Sequence, residues 1–303
     1  MTVDRVDQLD VTRFLDDYVR SNTPVVVTGA LSRWRLAEVW TPEHLAKRFG
    51  DDIVQVYNNH FDLRGLMSLK DYLGRYFGNR STGNRPVPYV RWYTKLRDVE
   101  FAWADDVFRA LRENWDRPSF LPETDYDLPF CPPPRRQNPA EDFFPAKAMF
   151  VSGAGARTTL HVDPWGSEAI LCQLYGRKTW LMYSPDLASS LTSGKQLVDP
   201  DRPDPVKFPN FRDVRPTCEF TVAAGDTVFV PHGWFHHVKT ETDSISLTWN
   251  FVHETTRDAL MTWLASELSE TDLDIVRFLL KELVGPHASA AEISTAISRP
   301  QLA

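Results

Sequence analysis

The sequence predicts a mainly β protein with flanking helices, and three observations carry that expectation. Between Ala146 and Val252, short apolar and β-branched runs follow one another with turn signals between them, as in an antiparallel sandwich or barrel. Residues 1–50 instead alternate short helical and strand signals. After Thr255 the apolar spacing changes to the 3.6-residue period of amphipathic helices.

Helical spacing comes first, from Val11 to Tyr18. Pro24-Val-Val-Val-Thr28, ended by Gly29, has the β-branched content of a buried strand. Thr41 is placed to cap a helix over Pro42 to Phe49: its hydroxyl can accept an orphaned amide, proline at the first helical position leaves none unpaired, and Gly50 closes the helix. Asp52 to Asn58 is expected as a strand, Leu69 to Phe77 as a helix and Pro86 to Tyr93 as a strand. Residues 117–148 hold eight of the 22 prolines. Pro132-Pro-Pro-Arg-Arg-Gln-Asn-Pro139 suits neither a ladder nor a helix interior, so a long ordered loop over the domain is expected.

The expected strands of the β region are Ala148–Ser152, Thr159–Asp163, Ala169–Tyr175, Lys178–Tyr183, Cys218–Val222, Thr227–Val230, His236–Thr240 and Ser244–Phe251. Leu260, Trp263, Leu264 and Leu268 then mark one helix. Ser269 with Asp272 forms a capping-box pattern opening a second through Ile275, Phe278, Leu279 and Leu283, ended by Gly285-Pro286. The apolar surface of this pair must cover either the sheet or a partner subunit.

Composition bounds the function. A chain of 303 residues, 42% hydrophobic and 25% charged, has ordinary globular composition and fills one large domain or two small ones. Ten tryptophans suit a thick sheet core or an aromatic-lined pocket. A net charge of −7, with no block of five basic residues, disfavours nucleic acid and is more compatible with a basic peptide or a cationic small molecule. Cys131, Cys172 and Cys218 are odd in number and widely spaced, which suggests neither a disulfide framework nor a zinc–thiolate site. The N-terminal segment lacks the apolar core of a signal peptide, and no apolar run nears the ~18 residues of a membrane span. No membrane partner and a cytoplasmic location are therefore expected.

The chemistry concentrates in Thr158-Thr-Leu-His-Val-Asp-Pro-Trp-Gly166. Residues i and i+2 of a strand share a face, so His161 and Asp163 project together as two metal ligands. A third is available about 75 residues later in Pro231-His-Gly-Trp-Phe-His-His-Val238. Two histidines and one carboxylate occupy one face of an octahedral Fe(II) and leave three positions open. His-x-Asp alone is weak, and a lone strand histidine is more often structural. The sheet-rich context, the later histidine after a glycine turn and a lysine on the intervening hairpin strengthen it. Strand parity leaves the choice between His236 and His237 open.

Taken together, His161-Val-Asp-Pro-Trp-Gly166, Tyr175-Gly-Arg-Lys-Thr-Trp-Leu-Met-Tyr-Ser-Pro185 and Ala224-Gly-Asp-Thr-Val-Phe-Val-Pro-His-Gly-Trp-Phe-His236 resemble the JmjC (cupin-like) 2-oxoglutarate oxygenases, in particular their hydroxylase branch. Pro24 to Trp34 and Trp40-Thr-Pro-Glu-His-Leu45 resemble that branch too, so the likeness spans most of residues 20–255. The resemblance implies a double-stranded β-helix, a jelly-roll with the metal inside its open end. It implies Fe(II) held by His161, Asp163 and His236, with His237 facing the other way and His232 in the turn. It implies Lys178 and Thr158 on the distal carboxylate of 2-oxoglutarate, Asn250 near co-substrate and metal, and Tyr89 as a further co-substrate contact. One departure stands out: several relatives carry an asparagine on the strand after His-x-Asp, where this chain has Ala169-Ile-Leu-Cys-Gln-Leu174, leaving Ser167 or Gln173 as polar replacements.

The expected organisation is a catalytic domain over 1–255, with its N-terminal elaboration and the Pro-rich loop, followed by a helical region over 256–303. The expected activity is hydroxylation of a peptide or protein side chain by Fe(II), 2-oxoglutarate and O2, releasing succinate and carbon dioxide. A small metabolite is the alternative substrate, and a non-catalytic jelly-roll that binds peptides is the alternative class. The resemblance also raises a homodimer through the C-terminal helices.

Overall fold

The computed structural model describes residues 2–78, 86–95, 101–130, 147–266 and 268–298. The N-terminal half supplies β1 (Asp4–Val6), β2 (Val25–Val27), β3 (Ile53–Tyr57), β4 (Leu63–Ser68), β5 (Tyr89–Tyr93) and β6 (Tyr126–Leu128). The β region supplies β7 (Ala148–Ser152), β8 (Arg157–His161), β9 (Glu168–Tyr175) and β10 (Arg177–Tyr183), then the small hairpin β11 (Thr192–Ser193) and β12 (Gln196–Leu197). It finishes with β13 (Cys218–Ala223), β14 (Thr227–Val230), β15 (Phe235–Thr240) and β16 (Ser244–His253). All eight strands expected there are present, with ends shifted by at most two residues.

Two sheets, antiparallel but for the parallel β1–β2 pair at one edge, face each other. Strands β14-β9-β16-β7 form the middle of a ten-stranded sheet, and β13-β10-β15-β8 form a four-stranded one. This is the double-stranded β-helix. The N-terminal strands extend the larger sheet at both edges: β2 and β1 beside β14, and β5, β3 and β4 beside β7. Side-chain alternation explains the packing between the sheets. In β13 Cys218, Phe220 and Val222 point inward, and they share a core with Trp180, Ala169, Leu171, Val228 and Val230. The outer face of the larger sheet is covered as well, which is why β9 and β16 are apolar on both sides. Ile170, Leu174, Leu247 and Trp249 pack there against Phe14, Tyr18, Trp40 and Leu45 of the N-terminal helices.

Those helices start where the sequence says. The Thr41 hydroxyl accepts the His44 amide at 3.2 Å to open Pro42–Phe49. Val11–Arg13 runs into a π-helical stretch, Phe14–Val19, and Leu69–Tyr76 ends one residue short of Phe77. Strand β4 and the helix Asp105–Leu111 carry weak periodicity and were not foreseen.

Two expectations need correction. The 117–148 segment is not without regular structure: Tyr126–Leu128 forms β6 and pairs with β16. The run Pro132 to Pro139 lies outside the described residues. At the C-terminus the helices are Arg257–Leu264, Glu270–Leu279 and Ala290–Ser298, so Leu268 is not helical, the second helix stops before Gly285, and a third follows. The reciprocal Ser269–Asp272 cap is present. Leu260, Leu264, Val276, Leu279, Ile293 and Ile297 bury themselves with Leu128, Trp165 and Val252, so this surface covers the chain's own β region.

Gly166 makes that docking possible. It adopts φ +61°, and a Cβ there would lie 2.5 Å from the Ala259 carbonyl oxygen of the first C-terminal helix. Gly166→Ala should lower stability by about 1–2 kcal/mol from the backbone conformation alone, with the clash adding to it. Urea unfolding with an unchanged midpoint would contradict this.

Candidate metal centre

His161 ends β8, and His236 lies directly opposite it on β15. Their ring centroids are 4.0 Å apart. Strand β8 stops at His161 rather than reaching Asp163. Asp163 precedes the short turn Pro164–Gly166, but its extended backbone (φ −63°, ψ 145°) keeps the two-residue parity. One ligand atom from each of His161, Asp163 and His236 lies within 4.8 Å of the others.

Local contacts prepare these groups for a cation. Nδ1 of His161 lies 2.9 Å from the Thr159 carbonyl, and Nδ1 of His236 lies 3.2 Å from the Trp234 carbonyl. Facing carbonyl oxygens, both Nδ1 atoms carry the proton and donate, which leaves each Nε2 lone pair free. Burial, and then the neighbouring His236, hold His161 well below the usual imidazole range, so it stays neutral. Asp163 Oδ2 is buried without a hydrogen-bond donor, 3.8 Å from His236 Nε2. A sealed carboxylate oxygen beside two imidazole lone pairs is unfavourable until a cation joins them. The donor set, two imidazole nitrogens and one carboxylate, fits Fe(II) with open positions. His237 faces away, fully buried, with Nε2 3.2 Å from Asp201, which resolves the parity ambiguity. His232 sits in the turn, 3.5 Å from Glu168.

The triad opens into a cavity between the sheets whose walls also include Lys178, Thr158 and Asn250. Lys178 is buried on β10 and donates to Ser246 Oγ at 2.8 Å. No carboxylate lies within ion-pair distance of it among the described residues, and burial pushes its ammonium down to about 7. Asn250 Nδ2 donates to Ser167 Oγ at 3.1 Å, and that hydroxyl donates to the Pro164 carbonyl at 2.7 Å. Ser167 thus ties Asn250 to the turn that follows Asp163. Gln173 is engaged elsewhere, donating to Ser244 Oγ and the Tyr175 carbonyl, and is not part of the wall. Tyr89 does not line the cavity; its hydroxyl is sealed and unpaired, and its ring centroid lies 6.2 Å from that of Phe150, which does line it.

Several wall residues were not singled out from sequence. Trp180 stacks on His236 with centroids 5.6 Å apart, and Phe61 meets His161 edge-on at 4.7 Å. Arg91 and Tyr93 reach the cavity from β5. Parity offered a signal for some of them: Trp180 is two residues from Lys178, and Arg91 two from Tyr89. Phe61 is in a hairpin loop and carried none.

Comparison with known proteins agrees with this architecture. The chain is 26% identical over 264 residues to the bifunctional arginine demethylase and lysyl-hydroxylase psr-1 of Caenorhabditis briggsae, covering 82% of this chain and 62% of that protein. It is 23% identical over 299 residues to the 2-oxoglutarate and iron-dependent oxygenase JMJD4 of Gallus gallus, covering 90% and 65%. It is 26% identical over 260 residues to tRNA wybutosine-synthesizing protein 5 of the same bird, covering 81% and 75%. The chain thus spans less than two thirds of the length of the first two. Residues 11–257 match the model of the cupin-like domain, bearing out the resemblance carried by the motifs, and the chain belongs to that family.

Proposed function

We propose that the protein is an Fe(II)- and 2-oxoglutarate-dependent oxygenase that hydroxylates a C–H bond of a peptide or protein side chain. The observation that carries this reading is one cavity holding both an unpartnered Asp163 oxygen beside two imidazoles and a buried Lys178 with no acidic partner among the described residues. When bound, iron with 2-oxoglutarate and O2 supplies the oxidation: the co-substrate loses carbon dioxide to become succinate, and one oxygen atom goes to the substrate C–H.

The chain's residues do the rest. Lys178, held by Ser246, receives the distal carboxylate, and Thr158 offers its hydroxyl to the same group. The resemblance adds Tyr89 as a further contact of that carboxylate; its hydroxyl is buried and unpaired, but it stands outside the residues that line the cavity. Asn250, fixed through Ser167, orients the metal end. Trp180 and Phe61 hold the imidazoles in place and keep water out. Tyr89→Phe is expected to raise the Kd for 2-oxoglutarate about tenfold, the value of one hydrogen bond to a charged group. An unchanged Kd would remove Tyr89 from the site.

A non-catalytic peptide-binding jelly-roll would gain nothing from sealed, unpaired polar groups that only a cation and a diacid satisfy. The relative named for wybutosine synthesis makes RNA a substrate to compare with peptides, and a small metabolite remains the alternative substrate. No helix among the described residues is long and apolar enough to cross a membrane. Mass spectrometry of peptides and RNA incubated with the iron-loaded protein should show a gain of one oxygen in peptide together with succinate. Product only in RNA, or succinate never formed, would refute the proposal.

A further inference from the structure

We propose that Arg91 is the receptor for a carboxylate on the substrate, so that the oxidised side chain belongs to, or neighbours, an Asp or Glu. This rests on the oxygenase reading and adds the chemistry of the substrate. Arg91 is half-buried in the cavity wall, its guanidinium carbon 4.8 Å from the Phe61 ring centroid, 5.2 Å from Tyr93 and Phe150 and 5.6 Å from Tyr57. Aromatic faces attract a cation but cannot accept its five N–H donors in the plane of the guanidinium. Nε is sealed with no acceptor, and Arg91 has no ion pair among the described residues. Burial holds the phenols of Tyr57 and Tyr93 above their ordinary range, so neither neutralises it as a phenolate.

Charge balance points the same way. With the site loaded, the iron and the Lys178 ammonium are matched by Asp163 and the two carboxylates of 2-oxoglutarate. Arg91 is left over, in a cavity that substrate would close to water. A second anion satisfies it at short range. The net charge of −7 acts at long range and disfavours an acidic partner; Arg91 therefore selects a single carboxylate in a segment that is otherwise neutral or basic.

Its placement is also held at a cost. Phe61 sits at φ 65°, a strained conformation for an aromatic residue, and thereby touches both His161 and Arg91. Asn58 Oδ1 accepts the amides of His60 and Asp62, and the Asn59 carbonyl accepts the Thr159 hydroxyl at 2.7 Å, so the loop is clamped to the strand bearing His161. One ring thus separates the free guanidinium from a metal ligand, within reach of a substrate positioned for oxidation.

The test uses the protein loaded anaerobically with Fe(II) and 2-oxoglutarate, in which the visible band of the chelate first reports co-substrate binding. Absence of that band would sink the oxygenase reading itself. N-acetyl-aspartate amide and N-acetyl-asparagine amide are then titrated, read by that band and by tryptophan fluorescence. The native protein should prefer the aspartate probe at least about tenfold, as a charge-assisted bond requires. Arg91→Gln should erase the preference while leaving 2-oxoglutarate affinity within about twofold, and Arg91→Lys should keep part of it because the charge remains. Equal binding of both probes by the native protein, an undiminished preference in Arg91→Gln, or a large loss of 2-oxoglutarate affinity in that variant would each overturn the role.

Discussion

Asp163→Ala is expected to abolish succinate formation, with a loss well beyond the roughly 10–100-fold seen when only an outer partner of a metal ligand is removed. The geometry explains the size of the effect. Asp163 is the only carboxylate in the three-residue cluster, and its Oδ2 is the atom left without a donor 3.8 Å from His236 Nε2. Alanine leaves two imidazoles to hold a dication without the carboxylate that balances part of its charge. His161→Ala and His236→Ala should fall to the same level. The losses would not add, because each removal already dismantles the same centre. Iron content after dialysis separates this account from a folding defect. Asp163→Ala should retain its thermal transition and lose the metal, whereas full turnover would refute the assignment.

Lys178→Met is expected to raise the 2-oxoglutarate Kd by about 10–100-fold, the loss of a charge-assisted bond in a dry site. The same variant should be more stable than the native protein without ligand. Burial lowers the Lys178 ammonium from 10.5 to about 7, so between those values the unfolded state binds the extra proton. Stability therefore rises with pH from about 7 to about 10 and is lowest below 7, where the folded chain must bury the charge. Methionine fills similar volume without that cost, and its advantage should grow as pH falls from 10 to 7. Co-substrate affinity runs in the opposite direction. The diacid needs the charged form, so its Kd should be flat below pH 7 and rise by up to about tenfold per unit above it. Isothermal titration across pH 6–9 would show this, and a Kd independent of pH would count against Lys178 as the anchor.

The convergence of His161, Asp163 and His236 was legible because its information is largely local. His161 and Asp163 are two residues apart, and the glycine turn before His236 marks the third ligand. Strand order was less so. The eight roll strands announce themselves as short apolar and β-branched runs between turn signals, but β4 is exposed over most of its length and β6 is three residues long within a proline-rich segment, so neither has a clear apolar signature. Strand parity cannot choose between His236 and His237, which the resemblance alone decided; both are buried, and it is the facing sheet that sets one against Asp163 and the other against Asp201. That Arg91 and Phe61 join this site is harder to read, for a further reason. They lie about 70 and 100 residues from His161 in sequence and join the site only because β5 and the β3–β4 hairpin extend the larger sheet. Such long-range pairings carry no periodic signal in the chain.

The central claim, that one cavity grips ferrous iron and a five-carbon diacid together, is tested most directly by anaerobic titration of Fe(II) and then 2-oxoglutarate into the purified protein. The account predicts a visible charge-transfer band that saturates at one equivalent of iron and is lost in Asp163→Ala. A native protein that binds 2-oxoglutarate without iron-dependent colour, or an Asp163→Ala variant that develops the full band, would contradict it.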